Sequence, residues 1–463
     1  MKTTSIFLFL FLGFFTENAQ SQCWTAIGGG DYHTVAIKFD GTLWAWGSNS
    51  YGQLGDGTFT SRNVPTQIGS DTNWQTVSAG AFHNLALKTN GTLWAWGAGT
   101  SGQLGNGNLL SKNIPTQVGF ATNWTSATAG GFHSLAIKTT GTLWGFGYNL
   151  TGCLGDGTIT NRLAPVQIGF STLWQKVSTG HYHTLAKRSD GTLWAWGRNL
   201  EGQIGDGTNI LKNIPTQVGL LTNWDTITAG GYHNLAIKTD GTLWAFGSNA
   251  FGSLGDGTNT DRNLPVQIGT SQWLKVAGGF SHTIGIKLVG TLWTWGNNDQ
   301  GQLGSGITPR NEPGFINLVS NWSLIAAGRF HTLATRNSGQ VSIWGDNLNG
   351  QLGDGSNITA SFPNQISCPT TLSLSENTLD NLAINYYPNP TKDYVSVNYI
   401  LNENSNVNIE LVNLSGQILF KNNNIKNAGL QTEKINLESY QNGIYILKLK
   451  NETNFRSLKI IKE

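Results

Sequence analysis

The residues best able to support metal or acid–base chemistry are eight histidines. Seven of them, His33, His83, His133, His183, His233, His282 and His331, recur roughly every fifty positions. A zinc site needs three or four ligands converging at about 2 Å from one ion. One histidine per unit leaves neighbouring copies a unit apart, so this spacing favours a histidine hydrogen-bonded for packing in each unit. His181 alone falls outside the series and is not expected to join it as a ligand. No nucleophile elbow, phosphate loop or carboxylate pair stands out from the repeat, and no catalytic residue, metal or cofactor is expected.

Charged side chains follow the same rhythm. Arg62, Lys112, Arg162, Lys212, Arg262 and Arg310 recur, and most units carry an acid to match, at Asp56, Asp156, Asp206, Asp256 or Asp354. Paired in this way, the charges brace a loop. The Asp-Gly-Thr loops lack the alternating oxygen ligands of a dedicated calcium site. With 12% charged residues and a net charge of +2, the chain has no electrostatic case for binding nucleic acid.

A fixed period of this length marks an array in which each unit buries its apolar face only by stacking on a neighbour. The first unit holds four candidate strands: Trp24 to Ile27, His33 to Lys38, Thr42 to Trp46 and Pro65 to Ile68. Asp40-Gly41 between the second and third is a hairpin signal. If it forms a two-residue turn, Ile37 pairs with Trp44, Val35 with Trp46 and His33 with Ser48. The fifth and sixth intervals shorten by one residue, before Trp273 and before Pro313, where connections tolerate deletion. Four antiparallel strands repeated radially make a β-propeller blade, so residues 22–369 are expected to form a seven-bladed, all-β propeller. All 18 tryptophans fall at three frame positions, exemplified by Trp24, Trp44 and Trp46, which assigns them to packing between blades.

The loop Gly52-Gln53-Leu54-Gly55-Asp56-Gly57-Thr58 and the hairpin Asp40-Gly41-Thr42-Leu43-Trp44-Ala45-Trp46-Gly47 resemble the regulator of chromosome condensation repeat family, over roughly residues 24–366. The family is known for seven-bladed propellers, which agrees with the count. Departures are local: Val289 and Ser338 replace the turn aspartate, Ser342 the first hairpin tryptophan and Cys153 the loop glutamine. The family also includes a secreted inhibitor of β-lactamase, implying that a disc of this kind can act by protein binding alone.

Three cysteines are an odd number, so at most two of them pair within the chain. In the repeat frame Cys368 corresponds to Ser70 and Cys23 to Asn73, the two free ends of the one inter-blade connection that the chain cannot make covalently. A Cys23–Cys368 disulfide is therefore expected to clasp the last blade to the first, with Cys153 a buried small residue.

At the N-terminus, the apolar run Ile6 to Phe15 followed by Ala19-Gln20-Ser21 reads as a signal peptide, residues 1–21, cleaved before Gln22. The run is too short to span a bilayer, and no other stretch reads as a transmembrane segment. Residues 370–384 read as a linker. Residues 385–463 alternate in the manner of a small β-sandwich. Their Tyr387-Pro388-Asn389-Pro390 entry, Gly443-Ile444-Tyr445 strand and basic terminus resemble the C-terminal sorting domain of the type IX secretion system. That resemblance implies export through the type IX machinery, to the outer cell surface or beyond.

Variation among the copies concentrates just after the third strand and just before the repeated histidine, the latter including Asp31, His181 and Arg329. Loops freed from packing are where recognition is built. Tyr51, Arg198, Glu201, Phe251 and Asp299 are the candidate contact residues. The expectation is a secreted or cell-surface, non-enzymatic interaction protein that binds an extracellular protein or glycan. The alternative is a propeller-scaffold carbohydrate-active lyase or hydrolase.

Overall fold

A computed structural model describes residues 23–316, 320–337, 339–368, 385–401, 404–413, 417–451 and 455–463. The signal peptide, its cleavage point, Ser338 and the linker 370–384 lie outside these residues. The chain divides into two compact units, Met1–Cys368 and Pro369–Glu463. The described secondary structure is all β, and no described helix is long and apolar enough to cross a membrane.

In the first unit the strands Trp24–Gly29, His33–Lys38, Leu43–Gly47 and Arg62–Ile68 form one antiparallel blade, in that order from one edge to the other. Six further blades repeat it. The first strand of each blade packs against the first strands of its neighbours, and that of the seventh, Trp322–Ala327, packs against Trp24–Gly29 to complete the circle. This innermost turn is so tight that it requires glycine: a Cβ on Gly80 would stand 2.3 Å from Gly130 O, and one on Gly328 would stand 2.4 Å from Gly30 O.

The hairpin register differs by one residue from the two-residue-turn expectation. Ala36 pairs with Trp44, Thr34 with Trp46 and His33 with Gly47. A two-residue type I′ turn needs positive φ at both central residues. Here Gly41 has φ +77°, and Asn321 is the one non-glycine with positive φ among the described residues, so Asp40 does not supply the second. The chain instead makes a three-residue turn, Phe39-Asp40-Gly41, closed by Lys38 N–H donating to Thr42 O at 3.0 Å. Asp40 Oδ1 accepts from Thr42 N at 3.0 Å. Small partners opposite the tryptophans leave the indoles free to pack sideways into the adjoining blade.

The shortened fifth connection has a structural result. Arg262–Gly278 runs as one 17-residue strand that serves both blade five and blade six, so their sheets merge. Cys23 and Cys368 are joined in a disulfide with Cα atoms 5.9 Å apart, linking the last blade to the first. Cys153 is free and buried; burial pushes its thiol up to about 12, so it stays protonated while donating to Tyr148 O at 3.0 Å.

The second unit is a two-layer sandwich. Asn385–Tyr387, Tyr394–Leu401 and Gly429–Asn436 form one sheet; Ile418–Lys426, Ser405–Asn413, Gly443–Lys450 and Phe455–Lys462 form the other. Alternate residues such as Val395, Val397, Ile409, Leu411 and Leu447 fill the space between them.

Candidate functional site

The histidine series forms a closed belt. Each imidazole Nε2 reaches the side chain that follows the next blade's histidine: His33 to Asn84, His83 to Ser134, His133 to Thr184, His183 to Asn234, His233 to Thr283, His282 to Thr332 and His331 to Thr34, at 2.8–3.1 Å. Each of those partners spends its own hydrogen on a loop carbonyl, as Asn84 does on Gln53 O at 2.7 Å and Thr184 on Cys153 O at 2.8 Å. The imidazoles must therefore donate, which places the proton on Nε2 in all seven. Trp96 and Trp196 donate to the same two carbonyls from the adjoining blade, at 3.0 and 2.9 Å. Complete burial pushes the histidines down, to about 4 for His33 and His183 and about 3 for the other five. Neutral and internally bonded, the belt is packing.

Two residues upstream the same frame position lines the mouth of the central channel, and here the copies diverge into Asp31, Ala81, Gly131, His181, Gly231, Phe280 and Arg329. They surround an open cavity of about 110 Å³. Arg329 reaches across the seam between the last and first blades to Asp31 at 3.1 Å, and its guanidinium lies 4.3 Å from the Phe280 ring centroid. Burial pushes the Asp31 carboxyl up, opposed by the guanidinium beside it. His181 lies in the bend before its strand, not in the strand, with its ring 5.4 Å from Phe132 and 5.3 Å from Phe280. Burial, then the nearby Arg329 charge, push it down to about 4.

Around this mouth runs a collar of partly exposed rings. Tyr32, Phe82, Phe132, Tyr182, Tyr232, Phe280 and Phe330 follow one another with centroids 5.2–6.5 Å apart. Arg329 bridges the gap between Phe330 and Tyr32, at 5.1 and 6.0 Å. Burial holds Tyr182 and Tyr232 above the usual phenol range, so these two hydroxyls stay neutral.

Ser48 N–H donates to Tyr32 O at 2.8 Å, so the loop after the third strand lies beside the collar. Two of the five predicted contact residues meet it, and a third holds one of those two. The Tyr51 ring lies 5.2 Å from Phe82, Arg198 lies over Tyr232 at 5.2 Å, and Glu201 holds Arg198 at 2.6 Å. Phe251 and Asp299 are exposed on equivalent loops, with no ring or ion-pair contact to the collar among the described residues. The loop-bracing charges form four ion pairs: Arg62–Asp56, Arg162–Asp156, Lys212–Asp206 and Arg262–Asp256.

The collar is a feature that the sequence reading missed. Its signal was present in the aromatic-histidine pairs Tyr32-His33, Phe82-His83, Phe132-His133, Tyr182-His183, Tyr232-His233 and Phe330-His331. Attention to the tryptophans, most of which are buried between blades, hid a second aromatic series that is partly exposed. A further surprise lies at the other end of the blades, where basic side chains closing the second strand sit on the tryptophan pair; Lys238 Nζ is 3.6 Å from the Trp244 centroid and 5.0 Å from that of Trp224.

Comparison with known families agrees with this architecture. The RCC1-like domain matches residues 14–227. Two models of the regulator of chromosome condensation (RCC1) repeat match 240–286 and 289–335, and 224–253, 273–302 and 322–351. The secretion system C-terminal sorting domain matches 385–463. Human WBSCR16 is 22% identical over 68% of this chain and 88% of its own, with a TM-score of 0.62. Yeast RCC1 (Prp20), crystallised bound to Kap60, is 20% identical over 76% of this chain and 87% of its own, with a TM-score of 0.65. At such identities the likeness concerns the fold.

Proposed function

The chain carries an RCC1-like propeller of regulator of chromosome condensation repeats followed by a secretion-system sorting domain, and from that premise we propose that it is an exported, non-enzymatic interaction protein. Its contact surface is the collar face. One observation carries this reading: in an array where every blade keeps its histidine, the position two residues earlier holds seven side chains of which only glycine occurs twice, and these line an open cavity ringed by aromatic side chains. Packing alone explains uniformity; it gives no reason for this spread of side chains, from alanine to arginine, around an open axis. Tyrosine, phenylalanine and arginine are also the residues that carry binding energy at protein interfaces. The sorting domain supports delivery through the type IX machinery to the cell surface or the extracellular space, where the partner is an extracellular protein or glycan.

The test compares the two faces. At the opposite end of the blades, Phe170 and Leu220 project from connectors, 97% and 90% exposed. Immobilised wild type, a Phe132→Ala/Tyr232→Ala variant and a Phe170→Ser/Leu220→Ser variant are presented to a glycan array and to the extracellular proteins of the source culture. The expected result is a ligand retained by wild type and by the connector variant, with retention lost at least tenfold in the collar variant. Retention that follows the connectors and ignores the collar overturns the assignment.

A further inference from the structure

We infer that the axial cavity is a receptor for one carboxylate side chain, an Asp or Glu on an apolar loop of a protein partner. This rests on the collar face being the contact surface and adds the chemistry at its centre.

The cavity wall is lopsided. His181, Phe280 and Arg329 supply its bulky side chains, whereas Ala81 and Gly131 on two adjacent blades supply almost none. The glycine is necessary, since a Cβ on Gly131 would stand 2.9 Å from His181 Cγ. Two polar side chains in this wall remain partly exposed, the Arg329 guanidinium and the His181 imidazole. Asp31 is only 7% exposed and engages Arg329 through Nη1, so it orients the guanidinium while the cavity meets the cation. Among the described residues the His181 ring has no hydrogen-bond partner, in contrast to the Nε2 atoms of the seven belt histidines. Phe280 touches both groups, at 4.3 Å from the guanidinium and 5.3 Å from the imidazole, so the two donors share one apolar wall.

A guanidinium edge and an imidazole across an aromatic wall complement a carboxylate, because an ionised acceptor forms the stronger charge-assisted bonds that a planar guanidinium can make in pairs. The collar specifies what surrounds that carboxylate. Its rings tilt against one another, with Phe82 and Phe132 at 41° and Tyr232 and Phe280 at 84°, and so offer a broken apolar rim in place of a flat stacking platform. The nearby carboxylates that could hold sugar hydroxyls, Asp31 and Glu201, are engaged by Arg329 and Arg198. An acidic residue on a protein loop fits this combination better than a sugar acid.

Small probes test the cavity directly. The full exported chain is titrated with phenylacetate, its neutral isostere phenylacetamide and methyl glucuronide, followed by ligand-observed NMR. Phenylacetate is expected to bind at least tenfold more tightly than the other two. Arg329→Gln should abolish that preference. Because Arg329→Gln strands Asp31, a second variant fills the cavity: Ala81→Phe places at this position the side chain that blade six already carries there, and should remove phenylacetate binding while leaving the unfolding midpoint within a few degrees. Equal binding of acid and amide, tighter binding of the glucuronide, no binding of phenylacetate, or undiminished binding in Ala81→Phe overturns the inference. Loss of ligand capture by Phe132→Ala/Tyr232→Ala together with any of those outcomes removes the carboxylate receptor and leaves the collar face intact as the contact surface.

Discussion

Two rings of side chains, two residues apart in every blade, have opposite fates. At the belt position all seven residues are histidine, buried and bonded across a blade boundary. At the axial position the seven residues range from glycine to arginine around open space. In the belt, geometry fixes the residue: an imidazole spans the distance from one blade to the next side chain and finds an acceptor there. At the axis the blades already meet through backbone, as where Arg329 N–H donates to Gly30 O at 3.2 Å, so the side chain is not needed to hold the ring together. Residues best known for catalysis were used for packing, and variation collected where the blades meet through backbone around open space.

Acid should separate the rings most strongly. The belt histidines have folded-state values of about 3 to 4 against an unfolded value near 6.5. The unfolded chain therefore binds more protons than the folded one between those limits. Their contribution is fully present above pH 6.5 and is lost as pH falls toward 4 for His33 and His183 and toward 3 for the other five, by up to about 1.4 kcal/mol per pH unit for each histidine. Denaturant midpoints should drop steeply from pH 7 to pH 5, and equal midpoints at the two values would show that the belt does not exclude protons.

The closure of both rings can be weakened without touching either. Replacing Cys23 and Cys368 by serine frees a 345-residue separation and should cost about 6 kcal/mol in the chain-entropy description. Non-reducing unfolding curves of the double variant measure it, and an unchanged midpoint would mean that the blades close without covalent help.

The smallest effect sharpens the contrast through one residue type. His233→Ala removes a fully buried ring and the hydrogen bond that Thr283 Oγ1 accepts, and should cost about 2–4 kcal/mol. His181→Ala removes no side-chain hydrogen bond among the described residues and should cost under about 1 kcal/mol. Paired urea titrations decide the matter; equal losses would make His181 a member of the belt in all but position.

Much of this was legible in the sequence. The period, the four strands per blade, the tryptophan positions and the seam cysteines are all local or frame-based signals, and a repeat states them seven times. The hairpin register was not legible, because Asp-Gly serves both a two-residue turn and a three-residue turn; the φ of residue 40 separates them. Tyr51, Arg198 and Glu201 were singled out as variable loop residues, but their relation to Phe82 and Tyr232 was invisible, since it joins different loops or crosses a blade boundary.

Sequence by itself determined the array, because each unit has an apolar face that only a copy of itself can cover, and it marked the frame positions where the copies disagree. Only tertiary structure decided what disagreement meant. Closing seven blades into a circle brings residues about fifty apart in the chain to one axis, and there Asp31 meets Arg329, separated by 298 residues, above a cavity that no single repeat contains.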